Sequence, residues 1–286
     1  MRVLVTGANG YIGSKVVRQL CDLNVEVIAT DFSNNHIDSR ALFIQDDLFS
    51  LVNYEGSLTE HFHCPDVCLH LAWRDGFVHN SDKHMGDLSS HYLFLKRLID
   101  EGIPQVAVMG SMHEVGYYEG EINDNTPCNP VSMYGIAKNA LRQSVELYSK
   151  NHDCRFLWLR GFYIYGEDDF GNSIFCKIRK AAKEGQKTFP FTTGTNKYDF
   201  MSVDDLAKQI SFAVIQKQVL GIVNVCSGKP VSLKDQVEWY IHKNNLPIVL
   251  DYGKFPDRPY DSPCIYGDPS KIRKIIDNFE KKKVCL

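Results

Sequence analysis

Several features that would define a membrane protein or a nucleic-acid-binding protein are missing from this sequence. Nowhere do about 18 apolar residues follow one another, which is the length that a membrane-spanning helix needs. The 32 lysines and arginines nearly balance the 35 aspartates and glutamates, and the net charge is −3. Charge therefore gives no reason to expect nucleic acid or an anionic membrane as a partner, and we expect neither.

A disulfide framework is also missing. The nine cysteines are odd in number and irregularly spaced, without a Cys-x-x-Cys pair, which favours free thiols. The histidines and cysteines of residues 61–70 match no tetrahedral zinc spacing, so no metal is expected. No signal peptide precedes the first strand-like residues. Together with the cysteine usage, this indicates a reducing, cytoplasmic location.

What the sequence does contain is an ordinary globular composition. Its 286 residues are 44% hydrophobic and 23% charged, which suits one or two domains with a substantial core. Short apolar segments alternate with stretches of helical periodicity. The strand-like segments are 3–5, 25–30, 41–44, 66–71, 105–109, 155–159 and 222–226, and a long helix is predicted at about 131–150. This alternation predicts an α/β fold: a Rossmann-type, doubly wound parallel sheet covered by helices on both faces.

The pattern loosens after about residue 165, where glycine and proline become more frequent. We expect a smaller mixed α/β lobe here. The predicted boundaries are 1–164 for the sheet domain, with a return segment at about 203–227, and 165–202 together with 228–286 for the lobe.

A glycine-rich segment, Thr6-Gly7-Ala8-Asn9-Gly10-Tyr11-Ile12-Gly13, joins the first strand to the first helix. Glycine lets the backbone approach a pyrophosphate, and the helix N-terminus supplies N–H groups and positive partial charge. Asp31 ends the second strand, where a carboxylate accepts hydrogen bonds from both adenosine ribose hydroxyls and repels a 2′-phosphate. The sequence therefore favours NAD(H) as cofactor, with NADP(H) as the alternative.

A second pattern, Tyr134-Gly-Ile-Ala-Lys138, places a phenol and an ammonium on one face of the long helix. The positive charge of Lys138 is expected to lower the pKa of Tyr134 from about 10 toward neutrality. A tyrosine of this kind transfers a proton to or from a hydroxyl or carbonyl oxygen. Ser111, just after the fifth strand, can supply a second hydrogen bond to that oxygen.

With these motifs in this order, the chain resembles the extended short-chain dehydrogenase/reductases of the NAD-dependent epimerase/dehydratase family that act on nucleotide sugars. The resemblance covers nearly the whole chain, including segments 159–166, 199–206, 224–228 and 258–261. It implies a catalytic triad of Ser111, Tyr134 and Lys138, with His113 as an added candidate. The cofactor-binding residues that it implies are Gly7, Asn9, Gly10, Tyr11, Ile12, Gly13, Asp31, Asp47, Leu48, Leu71, Ala72, Trp73, Tyr134 and Lys138.

Departures from the family pattern narrow the reaction. Dehydratases of the family carry Asp-Glu directly after the catalytic Ser or Thr, whereas this chain has Met112 and His113, so elimination is not expected. His113 is expected to hydrogen-bond the sugar or shuttle a proton, and its alternative is a loop histidine bonded to backbone. Trp73 replaces a family alanine and is expected to wall the sugar site. Arg258 is expected to bind phosphate oxygens, completing a substrate-binding set of Trp73, Met112, His113 and Arg258.

The resemblance and the chain length together imply a reductase. NAD(P)H would reduce the C4 ketone of a nucleotide-linked 4-keto-6-deoxyhexose, with a dTDP-sugar favoured, in deoxysugar and surface polysaccharide biosynthesis. The nucleotide diphosphate would lie in the smaller lobe, and the chain would form a homodimer through the helix that carries Tyr134.

Three alternatives stay open. A 4-epimerase would use the same triad and retain its NAD. A non-catalytic NAD-binding regulator would need a defective triad, which this chain does not have. A reductase of some other carbonyl compound is the third, and the late Arg258 and Asp261 argue mildly against it.

Overall fold

The computed structural model describes residues 1–166, 173–256 and 261–284, the side chains of 282–284 excepted. The strands, in chain order, are β1 (Arg2–Thr6), β2 (Glu26–Asp31), β3 (Leu42–Gln45), β4 (Val67–His70), β5 (Gln105–Ser111), β6 (Gly120–Ile122), β7 (Arg155–Gly161), β8 (Tyr163–Tyr165), β9 (Thr188–Pro190), β10 (Lys197–Ser202), β11 (Gly221–Val225), β12 (Pro230–Ser232), β13 (Val249–Asp251) and β14 (Cys264–Gly267).

The helices are α1 (Tyr11–Asp22), α2 (Leu48–Leu51), α3 (Leu58–His61), α4 (Lys83–Gly86), α5 (Leu88–Asp100), α6 (Met133–Lys150), α7 (Ile174–Lys183), α8 (Val203–Val214), α9 (Leu233–Lys243) and α10 (Ser270–Val284). A single 3-10 turn, Met112–Glu114, follows β5. The long predicted helix begins at Met133 because Ser132 caps it: its hydroxyl accepts a hydrogen bond from the Gly135 N–H.

Seven of these strands form the main sheet in the order β11-β7-β5-β4-β1-β2-β3, and every neighbouring pair is parallel. This confirms the predicted Rossmann-type α/β fold. The strand order reverses between β1 and β4. In open α/β sheets, ligands bind beyond the carboxyl ends of the strands at such a reversal.

Helices cover both faces of the main sheet. On one face α1, α8 and α10 pack over it, and the apolar side chains of α1 recur at helical spacing, with Val16, Val17 and Leu20 fully buried. On the other face, α5 and α6 supply residues such as Phe94, Leu98 and Leu141. Although α10 lies in the range that the sequence assigned to the lobe, it packs against α8 and β11 of the main sheet.

A second, mixed sheet has the order β12-β10-β14-β6, and β8 also pairs with β10. The β10–β12 pair is antiparallel, whereas β10–β14 and β14–β6 are parallel. Its own apolar core includes Phe162, Phe175, Phe200 and Tyr240. The described residues thus form three apolar clusters, one on each face of the main sheet and one in the second sheet, and β6 crosses from the first half of the chain to the second sheet.

Two further observations concern the described residues only. None of the helices in residues 1–166, 173–256 and 261–284 is both long and apolar enough to cross a lipid bilayer. The eight cysteines in these ranges are free thiols.

Candidate active site

The glycine-rich loop lies at the carboxyl end of β1, beside the reversal of the sheet. Gly7 has a φ of +65°, and a Cβ there would lie 2.7 Å from the backbone of Ala72. A Cβ on Gly13 would lie only 2.1 Å from the Gly7 carbonyl oxygen. Gly10 occupies the N-cap of α1 and has no side chain to bond the first-turn N–H groups, which suits an anionic ligand there.

Asp31 ends β2 next to this loop. Its carboxylate accepts hydrogen bonds from the backbone N–H groups of Asn9, at 2.9 Å, and Phe32, at 2.8 Å. The Asn9 side chain binds Ser33 and the His36 backbone in turn, which ties the segment after β2 to the glycine loop. A cavity of about 360 Å³ opens beside them. These features fit the adenosine and pyrophosphate parts of a dinucleotide.

The remaining predicted cofactor residues follow neighbouring strands of the sheet. Asp47 comes after β3 and accepts a hydrogen bond from the Phe49 N–H at 3.0 Å, so it also caps α2. Leu48 packs against the core beneath it. Leu71, Ala72 and Trp73 follow β4, and the Ala72 N–H donates to the Thr6 hydroxyl at 3.3 Å.

Ser111, Tyr134 and Lys138 meet beyond the end of β5. Ser111 is the last residue of β5, and its side chain is hydrogen-bonded to the Tyr134 phenol. Tyr134 lies in the first turn of α6, where its N–H donates to the His79 carbonyl at 2.9 Å. Lys138 is one turn further along, and its ammonium donates to the Met109 carbonyl at 2.8 Å. The three side chains that the sequence singled out therefore share one site.

The expected lowering of the Tyr134 pKa by Lys138 is not what the structure shows. Burial raises the pKa of Tyr134 to about 12, although the hydrogen bond with Ser111 acts in the opposite direction. The Lys138 Nζ lies 5.9 Å from the centre of the phenol ring, where its charge has little effect. Burial also lowers the pKa of Lys138 itself, to about 7.

Three histidines surround Tyr134. The His79 ring stacks on the phenol ring at 5.6 Å, and the His84 ring lies 5.2 Å from it. The His113 ring lies 4.2 Å from that of His79, and burial lowers the pKa of His113 to about 3. Burial therefore favours the neutral imidazole of His113 near neutral pH, a form that can donate or accept a hydrogen bond.

Glu114 is a functional-site neighbour that sequence reasoning missed. It is fully buried, and its carboxylate accepts hydrogen bonds from the Ser111 N–H at 3.3 Å, the Trp158 indole at 2.8 Å and the Arg160 guanidinium at 3.1 Å. Arg142 lies 3.3 Å from its other oxygen. The cluster fixes the turn that follows Ser111 and joins it to α6 and β7.

Two of the predicted substrate residues, Trp73 and His113, lie beside Tyr134, with ring centres 6.1 and 6.0 Å from the phenol ring. His113 lies at the site, as described above. Met112 is buried in the apolar core of the second sheet. Trp73 contacts Lys138, with the ammonium 3.7 Å from its ring centre. Arg258 lies outside the described residues.

His79 and His84 were also missed. They lie in the segment between β4 and α5, which has no periodicity of its own. Their only signal in the sequence is their position shortly after a strand that ends at the predicted site, and that signal alone would not have distinguished them from surface histidines.

Comparison with known proteins now decides the family. The model of the NAD dependent epimerase/dehydratase family matches residues 3–226. The chain belongs to this family. This confirms the predicted family membership and the prediction that the protein is an NAD-dependent enzyme.

Among curated relatives of this family member, dTDP-6-deoxy-L-talose 4-dehydrogenase (NAD(+)) of Aggregatibacter actinomycetemcomitans is 44% identical over 272 residues, covering 93% of this chain and 99% of the relative. A putative UDP-glucose 4-epimerase of Methanocaldococcus jannaschii is 28% identical over 261 residues, covering 84% of this chain and 82% of the relative.

A solved structure with the same fold is the UDP-glucose 4-epimerase of Thermus thermophilus in complex with NAD. It has a TM-score of 0.81 at 20% identity and covers 96% of this chain and 92% of that chain.

Proposed function

We propose that this protein interconverts the C4 hydroxyl and the C4 ketone of a dTDP-linked 6-deoxyhexose with NAD(H), and that reduction of the 4-keto sugar is the biosynthetic direction. The observation that carries the proposal is the 44% identity, over 93% of the chain, with a dTDP-6-deoxy-L-talose 4-dehydrogenase. The triad at the end of β5 supports it, because Ser111, Tyr134 and Lys138 suit proton transfer at a hydroxyl or ketone.

The residues at the sheet edge fit the cofactor. The glycine loop and the N-terminus of α1 would hold the pyrophosphate, and Asp31 would bind the adenosine ribose. When bound, the nicotinamide supplies hydride to C4 in reduction and accepts it in oxidation. We place the nucleotide diphosphate of the sugar against the smaller lobe.

The chain's own residues manage the proton. In reduction, the neutral Tyr134 phenol donates its proton to the C4 oxygen, and the phenolate recovers a proton from solvent. Ser111 binds the same oxygen, since it already bonds the phenol. Lys138 would bind the nicotinamide ribose. The high pKa of Tyr134 keeps the phenol protonated and ready to donate.

The test uses purified protein with dTDP-6-deoxy-L-talose and NAD+. We expect one equivalent of NADH per sugar oxidised, and consumption of NADH with a dTDP-4-keto-6-deoxyhexose. NADP+ in place of NAD+ should react far more slowly, because Asp31 repels a 2′-phosphate. Absence of any NADH change with dTDP-sugars, in protein that binds NAD+, would refute the proposal.

A 4-epimerase is the second candidate, and the 28% identical relative named as a putative UDP-glucose 4-epimerase favours it. It would interconvert UDP-glucose and UDP-galactose without net change in NADH. Incubation of the protein with UDP-glucose and NAD+, followed by chromatography of the products, separates the two candidates. A regulator without catalytic activity would show neither reaction.

We also propose a homodimer through α5 and α6. Ile136 and Leu147 of α6 are 40% and 65% exposed and lie three turns apart on one face, and Leu93 of the adjacent α5 is 42% exposed. Light scattering should give twice the monomer mass. The Leu147→Glu variant should give the monomer mass, and a monomeric wild type would rule the dimer out.

A further inference from the structure

An aromatic side chain lies against the catalytic lysine. The Lys138 Nζ is 3.7 Å from the centre of the Trp73 ring, within the range of a cation–π contact. Lys138 is 3% exposed, and its only other close partner in the described part of the chain is the Met109 carbonyl. No carboxylate among the described residues forms an ion pair with it. The ammonium is thus desolvated and faces a carbonyl and an indole.

The indole is held in place from two sides. Its N–H donates to Nδ1 of His84 at 3.1 Å, and its ring stacks on His91 at 4.5 Å with the planes 11° apart. Because Nδ1 of His84 accepts this bond, its proton lies on Nε2, which donates to the Val78 carbonyl at 2.9 Å. His84 therefore accepts from the indole and orients Trp73.

Of the side chains around Lys138, the indole of Trp73 is the nearest one that stabilises the ammonium. Glu114 favours the ammonium from a distance. His70 and His91 stay neutral, because burial and the nearby Lys138 charge lower the pKa of each. Tyr134 is also neutral, as described above. Burial lowers the pKa of Lys138 to about 7. Among these side chains, only Trp73 lies close enough to stabilise the ammonium against this effect.

We propose that Trp73 is a positioning residue that keeps the catalytic Lys138 protonated and fixed near the nicotinamide ribose site. This gives Trp73 a role through the lysine, different from the expected wall of the sugar site. The proposal rests on Lys138 being the catalytic lysine of the proposed function, but its main test needs neither sugar nor cofactor.

The first experiment measures the titration of Lys138 in the free protein. Protein labelled with ¹⁵N-lysine gives an Nζ resonance for Lys138, assigned by its loss in Lys138→Met. We expect a midpoint near pH 7 in the wild type, as burial predicts. The Trp73→Leu variant should titrate about one pH unit lower, the size expected for a desolvated cation–π contact. Trp73→Phe, which keeps an aromatic face, should recover most of the shift.

The matched control is a second tryptophan–lysine pair. Trp239 is exposed, and the Lys243 Nζ lies 5.1 Å from its ring. Trp239→Leu should leave the Lys138 midpoint unchanged. If Trp73→Leu does not fold, wild-type protein made with 5-fluorotryptophan keeps the shape and weakens the π face, and a smaller downward shift is expected. An unchanged Lys138 midpoint in Trp73→Leu, or in the fluorinated protein if Trp73→Leu does not fold, would overturn the proposal.

A second readout uses the enzyme with NAD+ and sugar. Activity should fall at a lower pH in Trp73→Leu than in the wild type, because the ammonium is lost earlier as pH rises. The deficit at pH 8 should shrink at pH 6. A pH-independent loss would mark Trp73 as merely structural. Failure of all dTDP-sugar turnover would count against the proposed function and leave the lysine titration standing as its own test.

Discussion

Tyr134 is a phenol whose surroundings favour its protonated form. Burial raises its pKa to about 12, and Lys138 is turned toward Met109 and Trp73. A neutral phenol is the correct form for donating a proton in reduction, whereas oxidation requires the phenolate. We therefore expect Tyr134 to add no pH dependence to reduction between pH 6 and 8, so that loss of the Lys138 ammonium, with a pKa of about 7, sets the fall in rate. In oxidation the growing phenolate fraction should oppose that fall, as initial rates in each direction would show.

Replacing Tyr134 with phenylalanine removes the proton donor and little else, since the ring keeps its stack on His79. We expect Tyr134→Phe to lower kcat by about 10² to 10⁴, with NAD+ affinity within about threefold of wild type. Steady-state kinetics and a binding titration measure the two effects. Activity within tenfold of wild type would remove Tyr134 from the mechanism.

His113 illustrates how burial selects between two roles. Burial lowers the pKa of His113 to about 3, which opposes proton shuttling near neutrality, so we propose that His113 hydrogen-bonds the substrate. His113→Gln keeps a hydrogen-bonding side chain without the titration, so we expect a raised KM and an unchanged pH profile between pH 6 and 8. If the fall in activity at low pH seen in the wild type is absent in His113→Gln, His113 transfers a proton after all.

The same histidine contributes to stability with a definite sign. Its pKa is lowered on folding, so the unfolded chain binds more protons between about pH 6.5 and 3, and stability falls as pH falls through that window. His113→Gln removes this contribution. Its Tm should therefore fall less steeply than that of the wild type between pH 6.5 and 5.

At the scale of elements, the conformation of the glycine loop and the start of α1 depend on the close contact between the backbones of Gly7 and Gly13. A Cβ on Gly13 would lie 2.1 Å from the Gly7 carbonyl oxygen, so the loop backbone must shift to accept alanine. We expect Gly13→Ala to weaken NADH binding at least tenfold, as a fluorescence titration would measure. Gly86→Ala in α4, where no atom lies within 4 Å, is the control and should bind NADH normally. Equal NADH affinity in Gly13→Ala and Gly86→Ala would mean that the glycine loop does not bind the cofactor.

The elements that could be predicted from sequence are those that carry their own pattern. Buried strands such as β1 and β5 have continuous apolar centres, at 3–5 and 106–109, and α6 has both helical periodicity and a serine cap. The triad was predictable because its spacing is local to α6 and to the end of β5. Short elements such as α2, α3 and β6, of three or four residues, hold too few positions to show a period.

What could not be predicted depends on contacts between distant residues. His79, His84 and His113 lie around Tyr134 but come from separate segments of the chain, which only the fold brings together. The pKa of Tyr134 was expected to fall because sequence shows a nearby lysine but not how deeply the phenol is buried. Glu114 could not be distinguished from a surface acid, because its partners Trp158 and Arg160 lie on β7.

At the scale of the whole molecule, one buried carboxylate joins the two sheets. Asp199 of β10 is fully buried and accepts hydrogen bonds from the Ser227 N–H and hydroxyl, at 2.9 and 2.6 Å. It also accepts from the N–H groups of Gly228, at 2.9 Å, and Gly267, at 3.2 Å. Ser227 and Gly228 follow β11 at the edge of the main sheet, and Gly267 ends β14 of the second sheet. The carboxylate therefore links the segment after β11 of the main sheet to the second sheet.

This arrangement predicts that a change at Asp199 affects the free energy of unfolding and the KM for the sugar more than the affinity for NADH. Asp199→Asn turns one acceptor into a donor facing N–H groups, which should cost about 2–3 kcal/mol of unfolding free energy. Thermal unfolding should show a Tm lowered by several degrees. Because the donors to Asp199 described above lie outside the glycine loop, NADH affinity should change less than twofold, whereas the KM for the dTDP-sugar should rise severalfold as the second sheet loses this link. Asp277→Asn, which alters an exposed carboxylate on α10, should leave all three quantities unchanged. Equal losses of NADH and sugar affinity in Asp199→Asn would mean that the carboxylate supports the fold as a whole and does not specifically align the two binding regions.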